Sequence, residues 1–242
     1  MNTTNTKSTK WPRIELATVF HVGTMQQGMK GQTHNKHSQE GNGLSVSLDP
    51  DAWSQIAKLG GQPKWTLTNE AGPSVFIDRH EMSSSHWFEV VSWALENGYI
   101  EPAKIAEISW RDPETEEMVM SEYDIGTPEQ ESIAHDEYEA CAQDEYEDLS
   151  MEIVEGWRPT PIMDQRLGFQ PHLSFTKDMA LTLFVESVLF DRIGAQGVWW
   201  NDIDDPGNYS APRGVIHKRA LPTWNSTLSE SHKRKNRHRE RE

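Results

Sequence analysis

One cysteine in the whole chain, Cys141, excludes an intrachain disulfide framework and any multi-cysteine zinc or iron–sulfur site. No run approaches the roughly 18 apolar residues of a membrane span. The first ten residues are polar and lack an apolar leader core. A soluble, cytoplasmic protein is therefore expected. The phosphate-loop, dinucleotide-fold, zinc-protease, serine-elbow and EF-hand patterns are all missing. His34 and His37 have no third ligand nearby in sequence, so no metal site is expected there. Apolar residues are also scarce, at 35%, with a mean hydropathy of -0.74. That scarcity implies a folded core carrying long polar loops or tails.

Bases are nearly missing from the middle of the chain. Between Glu107 and Glu155, eighteen Asp or Glu face one base, Arg111. The net charge is -15, and the last twelve residues, 231–242, hold six Lys or Arg against two Glu. Such a body repels nucleic-acid phosphate, so direct nucleic-acid binding is expected only through the basic tail 231–242. The organisation read from these shifts is a disordered leader, 1–12, a single α+β domain, 13–228, with an acidic insertion at about 107–155, and a basic disordered tail, 229–242.

Strand-like β-branched and aromatic patterns fall at residues 16–22, 43–48, 64–68, 74–78, 105–110, 118–123, 197–200 and 214–217. Asp49-Pro50 starts a short helix. Trp87, Val90, Val91, Ala94 and Leu95 mark an amphipathic helix over 84–97, stopped at Gly98, and Leu181, Phe184, Val185, Val188 and Leu189 mark another over 176–193. Residues 129–148 read equally as a solvated helix or as disorder. The mixture predicts an α+β fold: a split, mostly antiparallel sheet with two or three amphipathic helices.

Two segments carry candidate chemistry. In the first, His21 near a strand end, followed by Gly23 and Thr24, offers a ring donor and close backbone approach, or is a buried structural histidine. Ser45 and Ser47 share one strand face, either as its wet side or as a wall of the same cleft. In the second, Trp199 and Trp200 lead into Asp202, Asp204 and Asp205, which form an acid–base pair, a metal site or an ordinary acidic turn. Arg213 either grips a phosphate or pairs with one of those aspartates.

His21 with Gly23 and Thr24 resembles the strand-borne His-Gly-Thr motif of ADP-ribosyltransferase-like domains, and the Gly43–Ser47 strand with the Asp49 helix resembles the second strand and helix of that fold. Here Val22 stands between His21 and Gly23, and Asp202 is the nearest carboxylate to that family's late-strand glutamate. The resemblance implies NAD as substrate, His21 on the nicotinamide-side ribose, Ser45 and Ser47 lining the pocket, and Asp202 opposite the developing positive charge. With Arg213, these are the candidate catalytic and cofactor-binding residues. The expected activity is transfer of ADP-ribose from NAD to a macromolecular target. The competing reading is a non-enzymatic acidic inhibitor, of a kind common on mobile genetic elements, that captures a basic, nucleic-acid-binding protein.

Overall fold

The computed structural model describes residues 10–25, 43–113, 116, 118–144, 146–202 and 210–229. The expectations for His34, His37, Asp204, Asp205 and the tail 231–242 lie outside the described residues. The chain divides into two compact units, Met1–Trp93 with Leu181–Glu242, and Ala94–Ala180. No helix among the described residues is long and apolar enough to cross a membrane.

The first unit carries an eight-stranded sheet built from β1 (Arg13–Leu16), β2 (Thr18–Val22), β3 (Gly43–Ser47), β4 (Lys64–Asn69), β5 (Ser74–Asp78), β9 (Ala195–Trp200), β10 (Arg213–His217) and β11 (Trp224–Leu228). Their spatial order is β1-β5-β9-β10-β3-β2-β4-β11. Every neighbouring pair is antiparallel except β5 with β9. The strand expected at 16–22 is two strands, broken at Ala17, whose carbonyl accepts the Asn69 amide.

One face of this sheet curls around a core of Val19, Leu44, Val46, Leu67, Phe76 and Trp199. Phe76 of β5 and Trp224 of β11 meet edge to face at 6.1 Å. Those strands stand near opposite ends of the strand order, so the contact records how far the sheet bends. Trp11, placed by the sequence in the polar leader, is buried against His86 and Phe184, with ring centroids at 4.7 and 5.5 Å.

Helix starts obey a local rule. Asp49, Thr127 and Thr160 each accept first-turn amides, and the proline after each needs no helical partner for its missing amide hydrogen. They begin α1 (Pro50–Ile56), α3 (Pro128–Gln143) and α4 (Pro161–Leu167). The periodic apolar stripe forms α2 (Ser84–Glu96), ending one residue before the turn that Gly98 makes with φ near 69°. The helix expected over 176–193 is α5 (Thr176–Phe184), a π-helical turn (Val185–Leu189) and α6 (Phe190–Ile193). A π turn frees a carbonyl from the regular ladder, and here the Glu186 carbonyl accepts from Arg219 at 2.8 Å.

The second unit contains the acidic stretch. Its sheet places β6 (Ile100–Arg111) between β7 (Met118–Asp124) and β8 (Glu147–Pro159), all antiparallel, with α3 packed on it. The segment open to two readings is thus helical over Pro128–Gln143, held by buried Ala134 and Cys141 and by its Thr127 cap. Glu107 stands directly opposite Glu122 on one side and Glu152 on the other. Like charges in direct cross-strand register oppose folding. Burial, and then the neighbouring Glu107, push the Glu122 carboxyl above its ordinary pKa, against the opposing pull of Lys177.

Candidate functional site

The large sheet is divided by a seam. β2 pairs with β4 over five residues and β3 pairs with β10 over five, yet β2 and β3 share one ladder pair, Phe20 with Ser47. No further ladder pair joins these two strands. His21 stands just past that pair: its Nδ1 lies 2.8 Å from the Ser45 carbonyl oxygen, and its side chain is buried. A side-chain bond thus takes over where backbone pairing stops. The buried Ser45 Oγ has no hydrogen-bond partner among the described residues.

Gly23 comes next but one, with φ near 136°, a conformation that glycine adopts without penalty. Both of its backbone groups are used inside the protein: its amide donates to Pro63 O at 2.9 Å, and its carbonyl accepts the Trp65 indole N–H at 3.0 Å. Gly23 therefore shapes the seam without offering its own polar atoms. Thr24 leaves the strand beside it.

Ser47 is fully buried and not on a wet face. Its Oγ lies 3.0 Å from the carbonyls of both Asp49 and Pro212 and accepts the Asp49 amide. The residue therefore fixes the approach to α1 and the backbone ahead of Arg213. Phe20, Ser47, Arg213 and Trp200 form one cross-strand row over β2, β3, β10 and β9. His21 and Ser45 lie beyond this row at one end, and Asp202 succeeds it at the other.

Asp202 is held by two side chains. Its Oδ2 pairs with Arg213 Nη1, and its Oδ1 lies 3.2 Å from His80 Nε2. The side chains of Arg213 and Asp202 are only 16% and 18% exposed, so this is no solvated surface pair. The Arg213 guanidinium carbon also lies 5.9 Å from the Trp53 ring centroid, in cation–π range. Of the two sequence readings of Arg213, the structure has the ion pair with Asp202. Two residues that sequence reasoning misses, His80 and Trp53, join this cluster. His80 sits in the turn after β5 and belongs to no motif, so only the fold brings it here.

The structure thus assembles the candidates into two adjacent groups, His21 with Ser45 at the seam and Ser47 with Arg213, Asp202, His80 and Trp53 across the row. No group of three or more His, Cys, Asp or Glu among the described residues is arranged to hold a metal ion. Comparison of the chain with protein-family models, with curated proteins and with solved structures finds no match.

Proposed function

We propose that the first unit binds NAD at the β2–β3 seam as an ADP-ribosyltransferase-like domain, breaking the bond to nicotinamide and passing ADP-ribose to a macromolecular acceptor. The observation that carries this reading is the seam itself: β2 and β3 share one ladder pair, and just past it the His21 ring bonds the Ser45 carbonyl. An imidazole and a serine hydroxyl are groups that can hold a ribose hydroxyl or a carboxamide.

In this reading the seam holds and orients the nicotinamide-side ribose. The C1′–N bond breaks with its electron pair leaving on nicotinamide. An acceptor lone pair then closes on C1′, and the acceptor proton passes to solvent. The transition state is cation-like, so positioning and fixed dipoles supply most of the rate gain. The Asp202 carboxylate, paired with Arg213 and His80, lies on the other side of the row from the seam.

The test is NAD titration by calorimetry, paired with a nicotinamide-release assay. Binding that His21→Ala weakens at least tenfold supports the reading. An NAD-indifferent protein overturns it.

The glutamates facing one another in the second unit favour a second role, capture of a basic partner surface. Reversing Glu131, Asp136, Glu139 and Asp144 to lysine should leave the melting temperature nearly unchanged, because solvated charges contribute little to stability. Association with a basic protein should slow and lose its salt dependence. If capture survives His21→Ala while NAD does not bind, the second role stands alone.

A further inference from the structure

Arg213 and His80 approach the two oxygens of a single carboxylate from different strand ends. Both are held independently of it. Ser47 Oγ fixes the Pro212 carbonyl just before Arg213. The His80 amide donates to Asp78 Oδ1 at 3.1 Å, and the Arg79 amide donates to Trp199 O at 2.9 Å. Trp53 supplies an aromatic wall beside the guanidinium. A shielded guanidinium beside an indole and a more exposed imidazole facing the same carboxylate, both on fixed backbone, are the parts of an anion site.

We infer that Arg213 and His80 form a binding site for a phosphate ester, and that Asp202 is a tethered anion filling that site until a phosphate displaces it. A carboxylate offers these donors two oxygens and one charge, whereas a phosphate ester or diphosphate offers more of both. Asp202 competes because attachment to the chain gives it a high effective concentration. This inference rests on the NAD reading in one respect: the diphosphate of a dinucleotide whose ribose lies at the His21 seam is the phosphate expected in the second group of residues.

The experiment titrates inorganic pyrophosphate, and separately NAD, into the full chain and its variants by calorimetry. Asp202→Asn keeps the size and removes the competing charge, so it should bind pyrophosphate at least tenfold more tightly than the wild type. Arg213→Gln should bind at least tenfold more weakly than the wild type. If Asp202→Asn does not fold, the His80 imidazole resonances of the wild-type protein serve instead, and they should shift on saturation with pyrophosphate. Equal pyrophosphate affinity in the wild type and Asp202→Asn, or unmoved His80 resonances, overturns the inference. Tightened pyrophosphate binding without NAD binding keeps the phosphate site and sinks the transferase reading. NAD binding that is indifferent to Asp202→Asn does the reverse.

Discussion

The His21 ring bonds the Ser45 carbonyl at 2.8 Å, in the place where the next rung of the β2–β3 ladder would fall. Removing the ring leaves a buried carbonyl with one partner fewer and an empty wedge between two strands. His21→Ala should therefore lower unfolding stability by roughly 1–3 kcal/mol in urea titration, apart from any effect on NAD. A change near zero would mean that the ring does not hold the seam.

His217 gives the chain an acid sensitivity of its own. Its Nε2 donates to the Ala195 carbonyl at 2.9 Å, and its Nδ1 accepts the Ala220 amide at 3.2 Å, so the ring is neutral with both nitrogens used. Burial, foremost, lowers its pKa to about 4. Above the ordinary histidine pKa both folded and unfolded states are neutral, and nothing is lost. As pH falls from about 6.5 toward 4, the unfolded chain takes up a proton that the folded one refuses, and stability drops by up to about 3 kcal/mol. Denaturant midpoints at pH 7 and pH 5 should differ, and His217→Gln should flatten this difference.

Gly197 sits where β9 passes β10 and the Phe76 ring. A Cβ there would collide with the Val215 carbonyl and come within 2.8 Å of Phe76 Cε1. Neither a ladder carbonyl nor a core ring can retreat cheaply. Gly197→Ala should cost about 1–3 kcal/mol or more, read as a lowered melting temperature.

Glu122 should behave in the opposite sense. Its raised pKa means that its contribution is most favourable when protonated and is lost as pH rises through that pKa. At neutral pH the pair with Glu107 is a net cost. Glu122→Gln should stabilise the protein by about 0.2–1 kcal/mol at pH 7, with the gain vanishing in acid. Equal stabilisation at every pH would assign the effect to packing.

Much of the fold is legible wherever one residue period dominates. The stripe of Trp87, Val90, Val91, Ala94 and Leu95 specifies α2, and the alternation of Leu44, Val46 and Leu48 with serines specifies β3. β8 is not legible, because its acidic residues mask an alternation of Leu149, Met151 and Ile153, and its side chains are mostly exposed. Thr127-Pro128 and Thr160-Pro161 carry the same start signal as Asp49-Pro50, so α3 and α4 lie within reach of the rule that marks α1. The site is harder to read. Residue types suggest His21, Ser45 and Arg213, but whether serines at alternate positions face water or a sealed interior depends on what covers the sheet. His80 meets Asp202 only because β5 and β9 are neighbours.

That neighbourhood also dictates an order of assembly. The parallel pair β5–β9 is bridged by a connection that contains the whole second unit, and β9 and β10 stand between β5 and β3. A chain emerging from the ribosome therefore completes the acidic unit while the first five strands of the large sheet still await their central partners. These early strands wait with bare edges, and long-range pairing of this kind is slow and exposed to aggregation. The acidic unit, contiguous in sequence, is the part placed to fold first, and its charge would keep the unfinished remainder in solution.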